Sequence, residues 1–215
     1  MKPVRILIAD DHELFRRGLA AELAQVPEWE VVGQADNGRR AVEMAAELKP
    51  QIVILDLTMP ELNGLEAACR ILNGAPNCRV LILTAHESEQ LVREVLRAGA
   101  QGYLLKSDAG RTLVAALRAL LDGGVFFTSN VAKLVLDGYL RSDPLHSAPA
   151  HTLSSREREI VQLLAEGKSN KDIARLLDIS VKTAETHRSN IMRKMEFESL
   201  AELVRYAIRN KIIEP

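Results

Sequence analysis

The sequence predicts an α/β fold: a five-stranded doubly wound parallel sheet, followed by an all-α unit of four helices that contains a helix-turn-helix. Three observations carry that prediction. Five short apolar runs recur over the first 105 residues, with amphipathic helical stretches between them. Three of the runs, VRILIA, IVIL and VLIL, are nearly continuous in Val, Ile and Leu, as strands buried on both faces of a parallel sheet are. After Gly123-Gly124 this pattern stops, and from Leu153 onward only serine-led helical stretches follow.

Strands are expected at Val4–Ala9, Val31–Ala35, Ile52–Leu55, Val80–Leu83 and Tyr103–Leu105. Helices are expected at Glu13–Gln25, Gly38–Leu48, Gly64–Leu72, Ser88–Ala98 and Ala109–Leu121, from their apolar spacing near 3.6 residues. Alternating units of this kind give right-handed crossovers with helices on both faces of the sheet. A further helix led by Thr128 or Ser129 is expected to run to about Arg141. Ser142–His151 (SDPLHSAPAH) has the Ser, Pro and Ala content of a linker.

Beyond the linker the helix starts are well marked. Ser154 stands three residues before Glu157 and Ser199 three before Glu202, both capping-box patterns. Ser169 precedes Asp172 at the same spacing, Ser180 can cap another helix, and Gly167 can close the first. Helices near 155–166, 170–177, 181–195 and 200–211 follow, and only Leu177–Ser180 separates the second from the third. Two short helices joined that tightly suggest a helix-turn-helix.

Bulk properties narrow the class. A chain of 215 residues fits two modest domains. With 47% hydrophobic, 27% charged and only 4% aromatic residues, the composition is that of a globular protein with aliphatic cores. No apolar run of about 18 residues is present to span a membrane, and Met1-Lys2-Pro3-Val4-Arg5 leads directly into a strand rather than reading as a signal peptide. Cys69 and Cys78 match no metal or redox spacing and read as free thiols. A cytoplasmic location is the expectation. The net charge of −1 conceals an asymmetry, because from Ser154 onward 12 Lys and Arg stand against 10 Asp and Glu.

In an open parallel sheet, ligands gather at the carboxyl ends of the strands. There the first strand ends in Asp10-Asp11, the third in Asp56, the fourth in Thr84 and the fifth in Lys106. Taken singly, an Asp after a strand is commonly a turn or cap residue and a Lys a solvated charge. Together they would place three carboxylates, a hydroxyl and an amine on one rim. Converging carboxylates raise one another's pKa unless a cation neutralises them, and a hard ion such as Mg²⁺ suits the oxygen donors. An Asp can also act as a nucleophile toward phosphorus.

On the helix near 181–195, Lys182, Glu185, Thr186, Ser189 and Arg193 cluster on one side, with Val181, Ala184, Ile191 and Met195 opposite. Ser180–Met195 carries a net charge of +3. A polar, positive face of this kind suits base edges and phosphates in a major groove, although any surface helix has a polar face. Leu200, Leu203, Val204, Ala207 and Ile208 form an apolar stripe on the last helix that must pack against something.

Asp10-Asp11, the stretch Asp56-Leu57-Thr58-Met59-Pro60 followed by Asn63-Gly64, Thr84-Ala85 and Lys106 together resemble the flavodoxin-like receiver domain of bacterial two-component response regulators, over about residues 4–122. The resemblance implies that Asp56 is the phosphoacceptor. It further implies that Asp11, Asp56 and the backbone carbonyl of Thr58 bind Mg²⁺ with Asp10 helping through water, that Thr84 and Tyr103 form a switch pair, and that Lys106 contacts the phosphoryl group. Ser107 departs from the Pro that many receivers place after the Lys.

Leu153–Glu159, Glu166–Ala174 and Lys182–Arg188 resemble the LuxR/FixJ/NarL-type helix-turn-helix over about 150–212. In that family the third helix enters the major groove. The resemblance implies that Glu185, Thr186 and Ser189 face bases, that Lys182, His187, Arg193 and Lys194 touch phosphates, and that Arg188 has a flanking or structural role. It implies DNA, a sensor histidine kinase, RNA polymerase and a second copy of the chain, paired through the last helix on DNA, as partners. The expected division is 1–123 as receiver, 124–152 as connecting helix and linker, and 153–215 as DNA-binding domain. The protein is then no enzyme in the usual sense, although it takes phosphate onto its own Asp.

Three rival readings stand beside this one. A haloacid-dehalogenase-type phosphatase needs an acid two residues past its nucleophilic Asp, where this chain has Thr58. A ligand-sensing LuxR-type regulator leaves the carboxylate rim unexplained. A pseudo-receiver controlled by protein contacts without phosphate is the remaining alternative.

Overall fold

Strand and helix alternate through the N-terminal half as β1 (Val4–Ala9), α1 (Glu13–Leu23), β2 (Trp29–Ala35), α2 (Gly38–Leu48), β3 (Ile52–Asp56), α3 (Gly64–Gly74), β4 (Arg79–Thr84), α4 (Glu89–Arg97), β5 (Gly102–Leu105), α5 (Ala109–Leu121) and β6 (Phe126–Phe127). The computed structural model describes residues 2–85, 88–128, 131–132 and 153–214. Most of the helix expected to run to Arg141, and the whole expected linker, lie outside the described residues.

All strand pairs are parallel, in the order β2-β1-β3-β4-β5-β6. The five expected strands are present and β2 begins two residues early, at Trp29. The sixth strand is an addition to the five-stranded expectation. Phe126 and Phe127 pair with Gly102 and Tyr103, and two residues are too few to show any periodicity in a sequence.

Alternation along the strands divides the core into two layers. Leu7, Val53, Val80 and Ile82 face α2, α3 and α4, whereas Ile6, Ile8, Ile54 and Leu81 face α1 and α5. Side chains of successive strand residues point to opposite faces, so a strand covered on both sides must be apolar throughout. That is why β1, β3 and β4 read as continuous hydrophobic runs. The order reverses between β1 and β3, and their carboxyl ends therefore open onto a shared crevice.

Two glycines set the shape of that crevice. A Cβ on Gly64 would lie 2.0 Å from the carbonyl oxygen of Asp56, and one on Gly38 would lie 1.9 Å from that of Leu62. The loop after β3 is thus pressed between the starts of α2 and α3. Asn37 and Asn63 cap these two helices, accepting from the N–H groups of Arg40 at 2.8 Å and Glu66 at 3.0 Å.

The second unit contains α6 (Ser155–Ala165), α7 (Asn170–Leu177), α8 (Val181–Lys194) and α9 (Leu200–Arg209). Ser154 and Ser169 form reciprocal capping boxes with Glu157 and Asp172, and Ser180 accepts from the Thr183 N–H. Ser199 caps α9, but Glu202 turns its carboxylate to the N–H of Glu198, so this box is half formed. Asp178, at φ 51°, makes the left-handed turn between α7 and α8. Ile160, Leu164, Ile173, Ala184, Ile191 and Leu203 meet in the core. Val181 is 39% exposed rather than packed with them, because it opens α8 before the helix reaches its neighbours.

Gly64→Ala and Gly38→Ala are each expected to destabilise the chain by about 2–4 kcal/mol, since the clash is with backbone. Gly18→Ala, in mid-helix α1 with nothing within 4 Å of the new Cβ, is expected to stabilise it by about 0.5–1 kcal/mol. Urea unfolding of the three variants checks both signs.

Candidate functional site

β1 and β3 deliver Asp10, Asp11 and Asp56 to the crevice. Asp10 and Asp56 are buried, 1% and 4% exposed, while Asp11 faces solvent. Lys106, one residue past β5, reaches back over the sheet end. Its Nζ lies 2.8 Å from Asp56 Oδ2 and 2.8 Å from Asp10 Oδ2, and its ammonium sits 5.0 Å above the Phe15 ring. Only the Asp56 contact is aligned as a hydrogen bond; buried Asp10 Oδ2 has none. Asp10 Oδ1 accepts from the His12 N–H at 2.8 Å, and Arg16 Nη1 donates to the Asp10 carbonyl at 2.6 Å.

The electrostatics follow from burial. Loss of water pushes the Asp56 carboxyl up to about 7, against the hydrogen bond and charge of Lys106; the charges of Asp10 and Asp11 add to the rise. Burial also works against the Lys106 ammonium, but the two carboxylates it bridges outweigh this and raise its pKa. Three carboxyls thus share the rim with one amine, which pairs with two of them, Asp10 and Asp56.

Asp10, Asp11, His12 and Asp56 each offer a donor atom within 4.8 Å of the others. Three of these donors are carboxylate oxygens, and one of them is buried without an aligned donor, which fits a hard divalent cation. His12 carries no such signal in the sequence. Its Nδ1 lies 2.8 Å from Asp11 Oδ1, and as a softer nitrogen ligand it suits holding Asp11 better than joining a hard-ion set. Thr58 and Thr84 are buried beside the rim. Ile82 pairs with Tyr103 and both belong to one core layer, so alternation puts Thr84 on the same face as Tyr103. The Tyr103 ring is fully buried.

On α8 the expected reading face is open. Lys182, Glu185, Thr186, Ser189 and Arg193 are exposed, while His187 and Arg188 are half-buried. Thr186 Oγ1 donates to the Lys182 carbonyl at 2.9 Å, and Arg193 Nη2 to Asn190 Oδ1 at 2.8 Å. Lys194 is ion-paired with Glu157 at 2.6 Å.

A third group of residues escaped the sequence reading. Ser155, Glu159, Gln162 and Glu166 form one polar stripe of α6 and the residue after it, and this stripe lies on the receiver-like unit rather than in solvent. Glu159, fully buried, accepts from Arg39 of α2, from Arg70 of α3 at 2.7 Å and from Arg156 at 2.9 Å. Gln162 Oε1 accepts from the Asn63 N–H at 2.8 Å, and its Nε2 donates to the Met59 carbonyl at 2.7 Å. Glu166 accepts from the Glu61 N–H at 3.0 Å, and Ser155 donates to Glu66. Polar residues at helical spacing are the ordinary signature of a solvated face, so the sequence carried no signal for this contact.

An acidic rim on a doubly wound sheet, in one chain with a tightly turned helix pair, defines a receiver-type regulator. The comparisons agree. "Response regulator receiver domain" matches residues 6–118, and "Bacterial regulatory proteins, luxR family" matches residues 151–207. The transcriptional regulatory protein LiaR of Bacillus subtilis (strain 168) is 38% identical over 210 residues, covering 98% of this chain and 99% of its own. The two-component response regulator RcsB in complex with DNA aligns with a TM-score of 0.60 at 27% identity, over 95% of this chain and 98% of its own. A structure of two RcsB dimers bound to two parallel DNAs aligns with a TM-score of 0.59 at 27% identity, over 95% and 98%. The chain belongs to the response regulators that join a receiver domain to a LuxR-type helix-turn-helix. Among the described residues no helix is long and apolar enough to cross a membrane.

The raised Asp56 pKa has a definite sign in stability. Its folded value, about 7, lies above the ordinary 3.8, so the folded chain holds that proton longer than the unfolded chain. The stability this contributes is full below about pH 4 and is lost as pH rises through about 7. With divalent ions chelated, Asp56→Asn is expected to be more stable than wild type at pH 8 by about 1–3 kcal/mol, and the difference should shrink at pH 5. Urea unfolding at the two pH values measures it.

Proposed function

We propose that this chain is a two-component response regulator in which a sensor histidine kinase phosphorylates Asp56, and in which that phosphorylation controls sequence-specific DNA binding and transcription. The observation that carries the reading is Lys106 Nζ bridging Asp10 and Asp56 at 2.8 Å each. An amine held between two buried carboxylates at the crevice of a parallel sheet is placed to receive an oxyanion. Residues 1–123 act as the receiver, 124–152 connect, and 153–215 bind DNA.

The chemistry is displacement at phosphorus. An Asp56 carboxylate oxygen forms the new bond to phosphorus while the bond to the donor's leaving group breaks. Lys106 pairs with the transferred phosphoryl charge, and the Thr84 hydroxyl hydrogen-bonds one of its oxygens. Asp11, Asp56 and the Thr58 carbonyl would hold Mg²⁺, with Asp10 helping through water, and the ion supplies the positive charge the rim lacks. His12 orients Asp11. Thr84 and Tyr103, on one face of adjacent strands, are the pair that changes when the phosphoryl group arrives.

On α8, Glu185, Thr186 and Ser189 read base edges, while Lys182, His187 and Arg193 position the helix on phosphates. Lys194 joins them once it leaves Glu157. Leu200 of α9, 41% exposed, belongs to the edge that pairs with a second copy on a two-fold DNA site. RcsB complexes with DNA, in dimers, support this reading, and contacts with RNA polymerase complete the output.

Acetyl phosphate and Mg²⁺ should retard wild type on a Phos-tag gel and leave Asp56→Asn unretarded. A shifted band that persists in the variant sinks the assignment. A wild type that never shifts points instead to a receiver controlled by protein contacts alone. On DNA selected by the protein from a random pool, Lys182→Ala should weaken binding uniformly and reduce the salt slope by about 1. Glu185→Ala should instead relax preference at one base position by about 1–3 kcal/mol.

A further inference from the structure

Lys106 is held at the rim by more than its two carboxylates. Its side chain starts at the end of β5 and must pass β4 before the amine reaches Asp56 on β3 and Asp10 after β1. A long unbranched side chain gives up many rotamers in reaching so far. On one flank it finds little packing. There a cavity of about 630 Å³ opens between α1 and α5, with Gly18, Ala109 and Gly110 lining it beside Lys106. A Cβ on Gly18 or on Gly110 would meet nothing within 4 Å. The ammonium does lie over the ring of Phe15, with Nζ 5.0 Å from the ring centroid, inside the range at which a ring face attracts a cation.

Phe15 is itself well anchored. It sits in the first turn of α1, next to Arg16, whose Nη1 donates to the Asp10 carbonyl at 2.6 Å. The ring is half-buried and packs on the core layer shared by α1 and α5. Its contact with the amine differs in kind from the two ion pairs. When an oxygen of Asp56 bonds to phosphorus, the carboxylate becomes an acyl phosphate and its charge moves out onto the phosphoryl oxygens. The amine has to follow that charge. The negative face of an aromatic ring comes from its fixed quadrupole, which the transfer leaves as it was.

We propose that Phe15 is a positioning residue for phosphoryl transfer: its ring face holds the Lys106 ammonium at the rim and is the pivot on which the amine turns from Asp56 to the incoming phosphoryl group. The inference rests on Asp56 being the acceptor. With acetyl phosphate as donor, the bond from phosphorus to the acetyl oxygen breaks, acetate leaves, and an Asp56 oxygen takes the phosphorus. Phe15 makes no bond in this step and acts through Lys106 alone. An aliphatic residue in its place fills space without a negative face, and leaves the amine free to swing toward the open cavity.

The test uses the full chain with acetyl phosphate and Mg²⁺, read on Phos-tag gels. Phe15→Leu should slow phosphorylation about threefold or more, and Phe15→Tyr, which keeps the ring face, should stay near the wild-type rate. Phenylalanines carrying one, two or three ring fluorines, placed at position 15 by amber suppression, weaken the negative face with little change in size. The rate should fall with each added fluorine while the melting temperature holds. In lysine-labelled protein, the ring current should shift the Lys106 ε protons upfield, and they should stay shifted after beryllium fluoride and Mg²⁺ fill the rim. A rate indifferent to fluorine means that the ring acts by size, and overturns the inference even with Phe15→Leu slow. Phe15→Leu at the wild-type rate overturns it as well, and ε protons that lose their shift in the filled rim overturn the pivot. If wild type takes no phosphate at Asp56, the acceptor assignment has failed and the role in transfer falls with it. That result is distinct from the others, in which wild type is phosphorylated normally.

Discussion

Two buried carboxyls that meet at one point need a cation between them, and in this protein it is Lys106. Asp10 and Asp56 meet at the end of the sheet with almost no water, where two negative charges repel strongly. One amine reaches both. That arrangement exists only because β1 and β3 are neighbours and β5 lies two strands further along. Chain reversal between β1 and β3 opens the crevice, and the length of a lysine side chain closes it. The site is thus a property of strand order, which leaves an excess of carboxyl groups at the rim.

The two polar helix faces of the C-terminal domain meet different fates. The face of α8 stays open with an excess of positive charge, as a nucleic-acid surface does. The stripe of α6 is spent on the receiver, where a single carboxylate gathers Arg39, Arg70 and Arg156 and a single amide takes both a donor and an acceptor of the β3–α3 loop. A buried polar network of this kind fixes one geometry more sharply than an apolar patch of the same area, although Arg39 Nε is left without a hydrogen-bond partner in it. The β3–α3 loop therefore lies between two constraints: the close approach of Gly38 and Gly64 from the receiver side, and Gln162 from the other.

Much of this was legible in the residues. Strands buried on both faces are apolar without alternation, so β1, β3 and β4 stood out, and serine caps marked the starts of α6, α7 and α8. The rim followed from reading the residue that ends each strand. What escaped was short or ambiguous. β6 has two residues. Ser199 has the spacing of a capping box, yet Glu202 bonds to Glu198 instead. His12 reads as an ordinary residue before a helix until Asp11 is seen 2.8 Å from its Nδ1. Val181 sits at an apolar position at the start of its helix and is 39% exposed all the same.

The sequence by itself determined the two folding units, the direction of every expected strand and the set of groups at the rim, because periodicity and caps act over a few residues and leave a local trace. Only the tertiary structure decided that Lys106 bridges two carboxylates, that burial pushes the Asp56 carboxyl up to about 7, and that α6 lies against the β3–α3 loop. These depend on distances between residues 50 to 120 positions apart. A polar stripe looks the same in a sequence whether water or another domain covers it.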